Sequence, residues 1–209
     1  MCDTKVDLCL IIDSSGSIRD NRPADGSDNW TTQLKFLSDL VGDFTVGLDA
    51  TRVGAIVFSE QARLVFALDR YNTVREVQDA INSIAYMGQT TNTPEALIQT
   101  ESQCFNPSSG DRSDVVNLAI IVSDGLPYPS NRRTPALDAA DALRNTGVRM
   151  VAVGITDAVD EEFLKAMSSP PQIKGQNFFT AIDFADLSTI RNTVVENTCK
   201  VVDGMLYAE

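Results

Sequence analysis

The sequence predicts a doubly wound α/β domain: a mainly parallel sheet with helices on both faces and one short antiparallel edge strand. Three observations carry this. Short runs that are almost wholly apolar recur along the chain, as strands buried on both sides of a parallel sheet do. Amphipathic stretches at helical spacing separate them, which is the alternation that builds such a sheet. Apolar residues make up 43% and charged residues 22%, an ordinary globular balance rather than that of a disordered chain. A single domain of 209 residues buries about 70% of its unfolded surface, so it needs no metal or disulfide merely to fold.

The elements follow in order. Val6–Ile12 (VDLCLII) reads as a buried strand. Trp30–Phe44 is helical, with Leu34, Leu37, Leu40, Val41 and Phe44 at the helical period. Arg52–Phe58 (RVGAIVF) is a second buried strand and Ala62–Phe66 a short edge strand. Thr73–Ile84 is a helix whose N-cap Thr73 and Glu76 form a capping box. Thr93-Pro94-Glu95 opens another helix, with proline at the first helical position. Val115–Val122 (VVNLAIIV) is the most apolar strand. A helix runs from Thr134-Pro135 to near Gly147, followed by a strand at Met150–Val153. Glu161–Met167 is a short helix, Phe178–Thr180 a short strand and Asp186–Asn197 the last helix. One domain spans residues 1–199, and residues 200–209 (KVVDGMLYAE) read as a tail or linker.

Composition excludes several classes of function. Seventeen basic against 29 acidic residues leave a net charge of −12. That sign opposes nucleic-acid binding and attraction to an anionic membrane surface. It suits hard cations, basic patches or a calcium-rich medium. There is no histidine, which removes Ser-His-Asp and Cys-His catalysis and His-ligated zinc. No nucleophile–base motif replaces them, so an enzyme is not expected and no catalytic residue is assigned. No apolar run approaches the roughly 18–20 residues that span a bilayer.

Met1-Cys2-Asp3 carries neither the basic nor the apolar part of a leader, which fits a cytosolic chain or one whose leader has been removed. The cysteines bear on that choice. Cys2, Cys9, Cys104 and Cys199 form no CxxC pair. Cys2 and Cys199 lie near the two ends, which are often close in a domain. A bridge between them is expected, and with it an oxidising compartment. Cys9 and Cys104 are expected to be buried thiols, packed as small hydrophobes.

In an open α/β sheet, sites form beyond the carboxyl ends of the strands. Three segments fall there: Asp13-Ser14-Ser15-Gly16-Ser17, Gly88-Gln89-Thr90-Thr91-Asn92-Thr93-Pro94 and Ser123-Asp124-Gly125. They supply two carboxylates and several hydroxyls and no nitrogen or sulfur ligand. An all-oxygen set selects Mg²⁺, Ca²⁺ or Mn²⁺. In a tight loop leaving a strand, the DxSxS spacing lets Asp13, Ser15 and Ser17 converge.

With DSSGSI after an apolar strand, TNTPEAL opening a helix, IIVSDG after the central strand and AADALRNTGVRMVAVGI later, the chain resembles a von Willebrand factor type A domain with a metal-ion-dependent adhesion site. The match covers essentially the whole sequence and implies that family's Rossmann-like fold. It implies one divalent ion, Mg²⁺ or else Ca²⁺ or Mn²⁺, held by Asp13, Ser15, Ser17, Thr91 and Asp124. Thr90 and Thr93 are also at hand, and the TNTxxAL spacing favours Thr91. Neutral hydroxyls leave the ion residual charge and a water position that a partner's acidic side chain can take. The implied role is adhesion.

The order of motifs most resembles matrix domains of the matrilin and collagen-VI kind. That implies a secreted matrix module, with an extracellular-matrix protein as partner and collagen as the first ligand to test. An acidic scaffold of a matrix or mineralising layer, and an intracellular assembly module, are the alternatives. Ligand-face candidates are Arg19, Asp20, Arg22 and Tyr128. Arg19, Asp20 and Arg22 belong to an extended segment, Arg19–Asp28, read as a solvated loop or a lip over the site, with Asp20, Asp25 and Asp28 able to hold a second, weak Ca²⁺. Trp30 is expected in the core, Asn29-Trp30-Thr31 is a glycosylation sequon, and Arg132-Arg133 reads as a solvated pair.

Overall fold

The computed structural model describes residues 5–20, 28–155, 159–181 and 186–202. Six strands, β1 (Val6–Asp13), β2 (Arg52–Phe58), β3 (Ala62–Phe66), β4 (Val116–Ser123), β5 (Arg149–Ile155) and β6 (Phe178–Ala181), form one sheet. Their order is β3-β2-β1-β4-β5-β6. Every pairing is parallel except β2 with β3, the antiparallel edge expected from the sequence. All eight residues of β1 are buried, because it lies between β2 and β4 and is covered on both faces.

Alternation along the strands sorts the side chains into two cores. Leu8, Leu10 and Ile12 turn to one face, against α2 (Asn29–Val41), α3 (Val74–Asn82) and α7 (Leu187–Val202). Ile11, Ala119 and Ile121 turn to the other, against α4 (Thr93–Gln99), α5 (Arg133–Asn145) and α6 (Glu161–Met167). A single turn, α1 (Ser17–Asp20), follows β1. Thr73 and Glu76 form the expected capping box. At α4 the cap is Asn92 and the helix begins at Thr93, so Pro94 is its second residue. The last helix runs on to Val202, past the predicted end at Asn197 and into the segment read as a tail. Among the described residues no helix is long and apolar enough to cross a membrane.

Cys9 and Cys104 are not the free thiols expected; they form a disulfide. Alternation turns Cys9 away from the face that Leu8 and Leu10 occupy, into a small cluster with Ile56, Leu68 and Cys104. After α4 a π-helical turn, Thr100–Cys104, carries Cys104 to it. The Thr100 hydroxyl, at the start of that turn, donates back to the Ala96 carbonyl of α4 at 2.8 Å. The two Cα atoms stand 6.5 Å apart, within bridging range. Gly54 pairs with Cys9 across β1 and β2, and a Cβ there would lie 2.8 Å from the Cys104 sulfur. Glycine therefore leaves the space the bridge occupies. Cys199 is also disulfide-bonded; Cys2, its predicted partner, lies outside the described residues.

At the amino ends of β1 and β4 sits a buried ion pair. Arg112 donates to Asp7 Oδ1 from Nε at 2.9 Å and from Nη2 at 2.6 Å, and its backbone N–H reaches Oδ2 at 2.8 Å. The same guanidinium donates to the carbonyls of Val6, Leu48 and Ala50. Asp7 is fully buried, so its charge depends on this one partner.

Arg112→Ala should destabilise the domain by about 3–5 kcal/mol in urea unfolding, since it strands a buried carboxylate. Cys104→Ser should cost up to about 4–5 kcal/mol on the chain-entropy model for a 95-residue separation. Non-reducing peptide mapping should recover Cys9 joined to Cys104; two free thiols would contradict the bridge.

Candidate metal centre

Chain order reverses direction between β1 and β4, and the crevice at such a switch point is where open α/β sheets place their sites. The β1–β4 register pairs Ile12 with Val122, so Asp13 and Ser123 emerge side by side. The Ser123 hydroxyl donates to Asp13 Oδ2 at 2.6 Å, and the Ser15 backbone N–H donates to Oδ1 at 2.8 Å. Beyond them the Ser15 and Ser17 hydroxyls stand 3.1 Å apart, and Ser17 Oγ donates to Asp124 Oδ1 at 2.9 Å. Asp13, Ser15, Ser17 and Asp124 are thus brought together as the sequence predicts.

The third segment is stitched to the first two through its backbone. Gly88 N donates to the Ser14 carbonyl and Gly16 N to the Gln89 carbonyl, each at 2.8 Å. Gly88 adopts a φ of 74° at this turn, a left-handed conformation that glycine takes without steric cost. Ser59 Oγ accepts from Gln89 N at 2.7 Å and donates to the Thr90 carbonyl at 3.0 Å. The three threonines then separate. Thr91 is buried and lines a cleft of about 720 Å³ together with Ser17 and Asp124. Thr90 lines the same cleft, but its hydroxyl is committed to Glu60 and Arg132. Thr93 faces a separate small cavity beside Phe163 and Met167. Thr91 and Thr90 therefore face the cleft, and Thr93 does not.

Charge explains what this arrangement lacks. Asp13 is fully buried, and burial pushes its carboxyl above the usual range, against the opposing bonds from Ser123 and Ser15. Hydroxyl and amide dipoles surround it, and no Lys or Arg side chain bonds to it among the described residues. Nor do the described residues hold any cluster of three or more His, Cys, Asp or Glu suited to a metal. Two buried carboxylates among hydroxyls form a donor set that fits a hard cation.

The ligand-face candidates fare unevenly. Tyr128 lines the cleft, 64% exposed. Arg19 is engaged: it pairs with Asp28 at 3.1 Å and its guanidinium lies 4.1 Å from the Tyr86 ring centre. Asp20 ends α1, but its side chain lies outside the described residues, as do Arg22 and most of the extended segment. Arg132 and Arg133 are not a solvated pair. Arg132 Nη2 bonds Glu60 Oε1 at 2.8 Å, and Arg133 pairs with Asp160 at 2.6 Å. That hydrogen bond from Arg132 holds the Glu60 carboxyl below its ordinary range. Trp30 is in the core as expected, with its ring centre 5.5 Å from that of Tyr86. Asn29, the sequon asparagine, is only 2% exposed.

Sequence reasoning missed several residues that hold the site. Gln33 on α2 donates to the Asp13 carbonyl at 2.8 Å. Tyr86 OH donates to the carbonyls of Ser15 at 2.9 Å and Gly16 at 3.2 Å. Ser14 Oγ accepts from Met87 N at 2.8 Å. Ser123 was within reach, as a hydroxyl at a strand end beside Asp124. Gln33 and Tyr86 carry no local signal, because their partners are distant in sequence.

The family model for the von Willebrand factor type A domain matches residues 7–193. Mouse vitrin is 31% identical over 95% of this chain and 28% of its own length. Human matrilin-1 is 28% identical over 92% of this chain and 36% of its own length. Proximal thread matrix protein 1 from the mussel byssus, with its MIDAS motif occupied by zinc, superposes with a TM-score of 0.80 at 25% identity, covering 95% of this chain and 46% of that one. The chain thus spans less than half the length of each of these relatives. The matched span, the strand order and the switch-point cleft agree: the chain belongs to the von Willebrand factor type A domain family.

Proposed function

We propose that this domain is a matrix adhesion module that holds one divalent cation through Asp13, Ser15, Ser17, Thr91 and Asp124 and binds a protein partner through that ion. The observation that carries this is the fully buried Asp13 carboxylate, held by Ser15 and Ser123 with no Lys or Arg bonded to it among the described residues. The zinc in the byssal protein's MIDAS supports a divalent metal at the equivalent place. When bound, the ion supplies a fixed positive charge with a position for an incoming oxygen ligand. Asp13 and Asp124 supply the negative charge; Ser15, Ser17 and Thr91 supply neutral oxygens, so the ion keeps net charge for a partner's Asp or Glu. We read this as adhesion without chemistry on the ligand.

The relatives are proteins of the extracellular matrix, and disulfide-bonded Cys9, Cys104 and Cys199 fit an oxidising compartment. Both support a secreted matrix role over an intracellular one, with collagen as the first partner to test. A second reading, a scaffold within an acidic matrix, is favoured by the likeness to a byssal thread matrix protein.

Asp13→Asn separates the charge from the shape. In chelator the variant should melt at or above the parent's temperature at neutral pH, because it removes a buried charge that desolvation disfavours. Its affinity for Mg²⁺ or Mn²⁺ by calorimetry should fall about 10- to 100-fold; unchanged affinity would remove Asp13 from the site. In a solid-phase panel of collagens and other matrix polymers, the adhesion reading expects saturable binding with Mg²⁺ that chelator abolishes. The scaffold reading expects a metal-dependent melting temperature and no saturable ligand.

A further inference from the structure

The cleft over the candidate metal centre has two unlike walls. Five large apolar side chains are exposed among the described residues, and two of them, Leu126 and Tyr128, stand together at this cleft. They follow directly on Asp124, so the chain that supplies a carboxylate supplies the apolar wall as well. Tyr128 is fastened at both backbone groups. Its N–H donates to the Thr91 carbonyl at 2.9 Å, and its carbonyl accepts from Arg132 Nη1 at 2.8 Å. Exposure here belongs to a built surface held on the same hydrogen-bonded frame as the metal residues.

The facing wall is polar but self-satisfied. Arg132 bonds both oxygens of Glu60, at 2.8 and 3.4 Å, and Thr90 Oγ1 at 3.2 Å. Arg19 is held by Asp28 and lies over Tyr86. The arginines described around this mouth are therefore already paired, and an incoming carboxylate gains most from the cation. Whatever adjoins that carboxylate then meets Leu126 and Tyr128. About 720 Å³ accommodates both groups at once.

We propose that this cleft is a two-point socket for a segment of a partner protein in which an Asp or Glu neighbours a bulky apolar side chain. The carboxylate goes to the cation and the apolar group packs on Leu126 and Tyr128. The inference rests on the cation reading above and adds what selects among acidic ligands. Arg132 ties Tyr128 to Glu60 and Thr90, joining three of the four segments that line the cleft.

The test uses the whole chain and two synthetic probes, acetyl-Phe-Glu-amide and acetyl-Gly-Glu-amide, titrated by NMR in Mg²⁺. Titration of Mg²⁺ alone into the parent chain examines the cation site by itself. The phenylalanyl probe should bind about 5-fold or more tighter than the glycyl probe, as expected when an aromatic ring is partly withdrawn from water. Tyr128→Ala and the double variant Leu126→Ala/Tyr128→Ala should reduce that ratio below about 2-fold. Leu48→Ala, an exposed apolar residue outside the cleft, should keep it. If Mg²⁺ binds and the parent does not discriminate between the probes, or Tyr128→Ala keeps the ratio, the socket is overturned while the cation site stands. If Mg²⁺ does not bind, the cation site and the socket both fail.

Discussion

A carboxylate withdrawn from water loses its hydration, and the loss must be offset by hydrogen bonds, by an opposite charge or by a proton. Asp13 meets this condition at the carboxyl end of the central strand, where it is fully buried. Ser15 and Ser123 solvate its oxygens and Gln33 holds its backbone. Those partners come from the loop after β1, from β4 and from α2, so the placement of one charge constrains three elements. Tyr86 adds a fourth segment by capping the Ser15 and Gly16 carbonyls. The loop after β1 is thus tied by hydrogen bonds to several elements, an arrangement that lowers the ordering cost of binding under the proposed reading.

The scaffold beneath is braced to keep that geometry. At the opposite end of β1, Arg112 gathers Asp7 and three backbone carbonyls into one buried knot. In the middle, the Cys9–Cys104 bridge joins the central strand to the turn that follows α4. Since α4 begins two residues after Thr91, the bridge anchors the far end of the helix into which the threonine segment leads. The two carboxylates lie at or just beyond strand ends, while the strands and the bridge supply the stiffness.

An acidic domain that binds an acidic partner is a contradiction only if net charge is the relevant quantity. At contact distance the nearest charges set the field, and a bound divalent ion is the largest local charge in its site. A net charge of −12 instead disfavours nonspecific association with acidic polymers. Under the proposed reading, affinity concentrates in one coordinated carboxylate, and discrimination falls to the side chains around it. Leu126 and Tyr128 line the cleft at that position, and Glu60, which also lines it, is paired with Arg132.

Much of this was legible in the chain. Buried parallel strands are apolar along their whole length, so β1, β2 and β4 announce themselves through composition. Capping and helix-start chemistry is local, so Thr73 with Glu76 and the start near Pro94 could be read from neighbours. The candidate metal residues were legible because each lies at a strand end or helix start, and the topology gathers those points to one edge. The rest depended on contacts between distant segments. Cys9 meets Cys104 only because strand alternation and a π-helical turn point them together across a glycine. Arg132 meets Glu60 across a gap of 72 positions, and nothing near either residue marks it as paired. Sequence alone determined which residues could ligate and which strands would be buried, since those properties reside in residue type and local period. The tertiary structure decided which threonines face the cleft, which arginines are committed and which apolar side chains stay exposed, because partners are chosen by proximity after folding.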